Sequence, residues 1–173
     1  MNPPTKTPDD SPWISQSAAA KAYGPDLRLA VLSGDQRTVE QVQGRQRLGP
    51  GWVSHLLQNT AVGLWRDDAA TRQVADAEAA YRAARVGLCS ALADRGVVAH
   101  GRSGFNVWIP VPDGAVAMTA LSAAGWAAAP GARFRIRGTP GLRVTIAELV
   151  PADIAPLADA VADAVHGPGR ASV

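Results

Sequence analysis

With 173 residues, of which 47% are hydrophobic and 18% charged, the chain has enough apolar material for a core and lies outside the composition of disordered proteins. A formal charge of +2, a single cysteine, an opening without a signal-peptide pattern and no apolar run of roughly 18 residues argue against a disulfide scaffold, a secreted chain and a membrane span. A reduced, cytoplasmic setting is expected, with a core built mostly from Ala, Val and Leu because aromatic residues make up only 5%.

Residues 1–17 are rich in Pro, Thr, Asp and Ser without a hydrophobic period, which predicts a disordered arm. After a Gly24, Pro25 turn, residues 27–32 predict a short buried strand closed by Gly34 and Asp35. Val53, Leu56, Leu57, Ala61 and Leu64 recur at helical spacing and predict a helix over 50–65, where Pro50 suits the first turn because its missing N–H costs nothing there. Val74, Ala77, Tyr81, Ala84, Leu88 and Leu92 keep a three-four period that predicts a longer helix over 68–94, stopped by Gly96.

Strands are expected at 97–100 and 105–111; in the second, Phe105, Val107, Ile109 and Val111 face one way and Asn106 and Trp108 the other. A helix over 114–124 follows, then strands at 126–129, 133–137 and 142–147. The last helix, over 151–166, carries Ile154, Leu157, Val161 and Val165 on one face, and residues 167–173 form a tail. Residues 68–166 therefore predict an α/β arrangement of the α+β kind, a small sheet covered on one face by helices.

The positive charge gathers in residues 100–145, where Arg102, Arg133, Arg135, Arg137 and Arg143 stand against Asp113 as the one acidic residue. These arginines alternate with apolar residues in strand-like segments, and no helix-turn-helix pattern or basic helix accompanies them, so direct nucleic-acid binding is not expected. His55, His100 and His166 are too scattered for a metal site, and no Cys/His spacing points to zinc. Cys89 reads as core packing, and Asp153, Asp159 and Asp163 as the solvated face of the last helix.

Two landmarks carry more. The first runs from Lys21 through Gly24, Pro25 and Leu27 to Arg28; the second is Leu142, Arg143, Val144, Thr145 and Ile146, with Pro130, Gly131 and Phe134 lying between them. Together they resemble the C-terminal part of a pyridoxal-phosphate-dependent aminotransferase of fold type I, class I/II, nearest to the aminotransferase-like domains of MocR/GntR-type transcriptional regulators. The resemblance covers nearly everything after the first 17 residues. It implies that residues 18–67 are the last strand and helices of the large, cofactor-holding domain, and that residues 68–166 are the small C-terminal domain.

By the same resemblance Lys21 is the Schiff-base lysine and Arg28 holds the phosphate of pyridoxal 5′-phosphate. Arg143 clamps the α-carboxylate of an amino-acid substrate through two hydrogen bonds, and Asn106 lines the substrate pocket. The segment Gly49, Pro50, Gly51 and Trp52 with Ser54 and His55 resembles the stretch near the dimer interface, which implies a homodimer or pairing with a full-length aminotransferase-like chain; a simple loop and helix start accounts for it equally. Where family members have serines before the lysine, this chain has Ala18, Ala19 and Ala20, whose methyl groups cannot hydrogen-bond a phosphate.

Taken without the resemblance, Lys21 is an exposed lysine beside the arm and Arg28 an ordinary salt-bridging residue. Arg143 and Asn106 are then polar residues on the solvent side of strands. The bulk of the large domain would precede Lys21, so the expected function is that of a truncated aminotransferase-like chain, inactive alone. The alternatives are a non-catalytic oligomerisation or interaction module and a decayed remnant.

Overall fold

The computed structural model describes residues 12–49, 51–136 and 138–167, apart from the side chains of Ala20 and Lys21. The chain divides between Ala75 and Asp76 into two compact units, each taken by itself below.

The first unit opens with β1 (Ile14–Ala18), α1 (Ala20–Tyr23) and β2 (Ala30–Gly34), followed by α2 (Gln36–Arg47) and α3 (His55–Arg66). β1 and β2 pair antiparallel, from Ile14 opposite Gly34 to Ala18 opposite Ala30. Gly34 has to be glycine: a Cβ there would lie 2.6 Å from the Trp13 carbonyl oxygen. Asp35 then ties the hairpin to the next helix, since one carboxylate oxygen accepts from Trp13 N–H at 2.8 Å and the other caps α2 by accepting from Thr38 N–H at 2.9 Å. A small core of Ala19, Leu27 and Ala61, with Tyr23, Leu29, Leu57 and Leu64 packed around it, lies beneath.

Several expectations for this unit need correcting. Residues 14–17, read as part of a disordered arm, form β1; their order comes from pairing with a strand some sixteen residues on, which local composition does not report. Residues 1–11 of that arm lie outside the described residues. The strand expected at 27–32 runs instead over Ala30–Gly34, because tight bonds from Arg28 N to Asp26 O and from Leu29 N to Leu27 O (2.8 Å each) turn the chain so that Leu27 enters the core. The helix expected from residue 50 starts at His55, where Ser54 accepts from Leu57 N–H, and Pro50 is outside the described residues. α2 was not expected at all: it buries none of its residues and is held by its Asp35 cap.

α4 (Asp68–Ala93) leads to β3 (Asn106–Pro110), α5 (Gly114–Ala123), β4 (Ala129–Pro130), β5 (Gly141–Thr145) and α6 (Pro151–His166). The three strands of the second unit form an antiparallel sheet in the order β3-β5-β4. Val107 and Ile109 of β3 and Leu142 and Val144 of β5 point inward, against Leu88 and Leu92 of α4, Leu121 of α5 and Leu157 and Val161 of α6. Each fully buried Leu or Ile among these contributes roughly 1.5–3 kcal/mol relative to exposure. The helices follow the sequence periods closely, with Gly96 (φ 71°) ending the turn after α4 as a left-handed residue.

The strands are shorter than expected. Residues 97–100 contribute only a single bridge, His100 to Trp108, and the strand at 126–129 shrinks to Ala129–Pro130. Of the strand expected at 133–137, residues 133–136 are not a strand: a 3-10 turn occupies Gly131–Arg133 and Phe134 N–H closes it on the Gly131 carbonyl at 2.9 Å, while Arg137 lies outside the described residues. The reason is Gly131, which approaches the backbone of Gly141 so closely that a Cβ would overlap its carbonyl oxygen, and the chain turns at that contact rather than running on beside the sheet.

Candidate functional site

The inward face of the three-stranded sheet is filled by the core, so its chemistry lies on the opposite face. The register puts Trp108 of β3 and Ala129 of β4 on either side of Arg143 of β5, and Asn106 opposite Thr145. Residues directly opposite in an antiparallel pair share a face, so Asn106, Trp108, Arg143 and Thr145 are presented together. Backbone bonds between His100 and Trp108, at 2.7 and 2.8 Å, add His100 on the outer edge of β3.

Arg143 is half-buried. Its Cζ lies 3.6 Å from the centre of the Phe134 ring, a cation–π contact that holds the guanidinium to one side. Its Nε is shut off from solvent and meets no hydrogen-bond partner among the described residues. An unpaired buried donor costs about 1–3 kcal/mol. Asn106 is already engaged: its side-chain oxygen accepts from the Thr145 hydroxyl at 3.0 Å. A hollow of about 450 Å³ is lined by His100, Trp108, Pro110, Phe134, Arg135 and Ile136 among others, of which Trp108 and Phe134 also flank Arg143.

Behind this face, Arg85 of α4 is buried and donates from Nη1 to the Gly104 carbonyl at 2.5 Å. Gly101 accommodates the Arg85 stem, since a Cβ would come within 2.9 Å of its Cδ. Arg85 thus fixes the turn that delivers Asn106 to β3. Burial pushes the Cys89 thiol up, offset in part by the nearby Arg85 charge, which leaves Cys89 a packing residue and not an activated nucleophile. Asp159, expected simply to face solvent, pairs with Arg95 Nε at 2.6 Å, and that hydrogen bond holds its carboxyl below the ordinary range. No group of three His, Cys, Asp or Glu side chains that could hold a metal occurs among the described residues, and no helix among them is long and apolar enough to cross a membrane.

Of the four residues singled out in the sequence, Asn106 and Arg143 come together on this sheet face. Lys21 and Arg28 belong to the first unit. Lys21 lies in α1, with its side chain outside the described set, and Arg28 is exposed on the loop after α1 with its guanidinium unpaired among the described residues. What sequence reasoning did not assign is the supporting shell, Trp108, Phe134 and His100. The alternation that turns Val107 and Ile109 inward was a signal for Trp108; Phe134 was part of the pattern that carried the resemblance, but its stack on Arg143, nine residues on through a turn, was not read from it.

No family model matches the chain. Over 157 residues, 89% of its length, it is 31% identical to the vitamin B6 salvage pathway transcriptional repressor PtsJ of Salmonella typhimurium, and it spans 36% of that protein. Among solved structures it superposes on the kynurenine aminotransferase of Pyrococcus horikoshii with a TM-score of 0.69 at 17% identity, covering 88% of this chain and 40% of that one. The α-aminoadipate aminotransferase LysN of Thermus thermophilus gives a TM-score of 0.65 at 20% identity, with 89% of this chain and 42% of that one covered. The chain therefore has the α/β fold of the C-terminal portion of fold type I, pyridoxal-phosphate-dependent aminotransferases, is similar to a MocR/GntR-type regulator, and spans less than half the length of the relatives it matches.

Proposed function

We propose that the chain is an aminotransferase-like fragment that recognises an amino acid by its carboxylate at Arg143 and holds pyridoxal phosphate through Lys21 and Arg28. The observation that carries this reading is Arg143, a guanidinium stacked under an aromatic ring with an Nε donor that has no described partner. A planar, always-charged fork of this kind matches a carboxylate better than any neutral donor would.

The residues present also fit the anionic end of the cofactor. Arg28 is exposed, with no partner among the described residues, and suits a phosphate; Lys21 stands seven positions before it to hold the aldehyde. Ala18, Ala19 and Ala20 offer no hydroxyl, which leaves Arg28 as the main phosphate contact in this segment. Pyridoxal phosphate, when bound, supplies an electron sink for chemistry at the amino-acid α-carbon. The chain's own residues orient the amino acid at Arg143 and hold or move a proton at the Lys21 amine.

Support for this chemistry comes from the similarity to a repressor of vitamin B6 salvage and from the fold shared with LysN, whose structure holds a phosphopyridoxyl-leucine. The chain spans 36–43% of the length of these proteins, and we place the described residues in the cytoplasm and without direct contact to nucleic acid. The test is an absorbance titration of the purified chain with pyridoxal phosphate. A band near the visible edge that saturates in the wild type and disappears in Lys21→Ala is expected; a band that persists in Lys21→Ala refutes the assignment.

One observation favours a second reading, a non-catalytic interaction module. In the first unit Leu48, Trp52 and Leu56 are 90%, 76% and 75% exposed, an apolar share that a partner chain would cover. The partner would be a second copy or a full-length aminotransferase-like chain. Concentration-dependent association measured by light scattering, abolished by Leu56→Asp, supports this reading, and a monodisperse monomer at all concentrations refutes it.

A further inference from the structure

The position of Phe134, the ring stacked on Arg143, is set by the turn it closes. Its N–H closes the 3-10 turn on the Gly131 carbonyl at 2.9 Å. Gly131 in turn packs so tightly that a Cβ would overlap both the Gly141 carbonyl oxygen and the Trp108 indole. Gly141 opens β5, the strand that carries Arg143, and Trp108 is the residue directly opposite Arg143 on β3. One tight glycine contact thus anchors the root of the Phe134 turn and the strand of Arg143 to each other.

The consequence is the stack itself, with the Arg143 Cζ 3.6 Å from the ring centre. An unsupported arginine spreads over many rotamers and must be ordered when a ligand arrives, which weakens binding. With the ring over one side of the guanidinium, that ordering is done in advance, and the Nε–H is buried and closed to water. Phe134 itself is 44% exposed, so its ring also forms part of the wall of the adjoining hollow.

We infer that Phe134 is the positioning residue of Arg143, holding the guanidinium so that it selects a carboxylate over an uncharged group of the same shape. This rests on the reading of Arg143 as the carboxylate site. The test uses the full chain with two probes, N-(5′-phosphopyridoxyl)-L-leucine and the corresponding leucinamide, titrated by calorimetry into wild type, Phe134→Leu, Phe134→Met and Phe134→Tyr. In parallel, the Arg143 Nε–H is followed by nitrogen-15 NMR.

The wild type and Phe134→Tyr should prefer the acid and show a slowly exchanging Nε–H. Phe134→Leu and Phe134→Met should lose about tenfold in affinity for the acid, leave the amide unchanged, and exchange that proton fast. A wild type that discriminates, with an unaltered acid-to-amide ratio in either aliphatic variant, overturns the inference while leaving Arg143 as the carboxylate site. A wild type that does not discriminate overturns the reading of Arg143 and the inference with it.

Discussion

Replacing Gly141 by alanine would set a methyl group into the indole of Trp108: the Cβ would overlap Cε2 and Cζ2 and lie 2.8 Å from Nε1. Neither partner retreats easily, because Gly141 begins the central strand of the sheet and Trp108 is bonded through its backbone to His100. Overpacking of this kind costs about 1–3 kcal/mol. Trp108→Ala removes the ring and should cost less than the ~3–5 kcal/mol of a fully buried Trp, because Trp108 is only half-buried. In the double variant the clash is gone, so it should be more stable than the sum of the singles by ~1–3 kcal/mol, a coupling well above the ~0.5 kcal/mol scatter of independent sites. Gly131→Ala is the control. Its Cβ also overlaps the Gly141 carbonyl oxygen, a backbone atom, so Trp108→Ala should not rescue it. Urea denaturation followed by circular dichroism, with slopes compared between proteins, measures the wild type, the three single variants and the two double variants with Trp108→Ala. Additive effects for the Gly141 pair, or rescue of Gly131→Ala, would refute this account of the sheet face.

Two further predictions concern stability. Asp35 is held at a pKa of about 2, against 3.8 for the free side chain, by hydrogen bonds from the Thr38 hydroxyl and N–H and from Trp13 N–H. A folded value below the unfolded one stabilises above pH 3.8, and that contribution is lost as pH falls toward 2; Asp35→Asn should flatten the acid limb of a stability-pH curve in that window, and an unchanged limb would contradict it. Leu88→Ala, at a site with no exposure in the main core, should destabilise by about 2–5 kcal/mol in the same denaturation assay, whereas Val98→Ala, at an exposed site, should stay within about 0.5 kcal/mol.

The parts of the fold that local pattern controls were legible. α4 and α6 follow from their three-four periods and glycine stops, and the alternation of β3 placed Val107 and Ile109 inward. α2 escaped because only Val39 and Val42 are apolar within it and neither is buried, so the period had almost nothing to act on; an aspartate cap holds it instead. β1 and the 3-10 turn at Gly131 escaped for the opposite reason: a distant strand and a distant glycine decide them, and no window of sequence contains both partners. The same division runs through the site. The alternation of Leu142, Val144 and Ile146 put Arg143 on the open face, but its stack under Phe134 and the packing of Gly131 against Gly141 and Trp108 are tertiary contacts.

The central claim is that this chain still holds pyridoxal phosphate through one lysine. Borohydride reduction of the chain incubated with the cofactor, followed by peptide mapping, tests it most directly. The account predicts label on Lys21 alone, weakened when Arg28 is changed to glutamine; label scattered over the arm and other amines, or none at all, would contradict it.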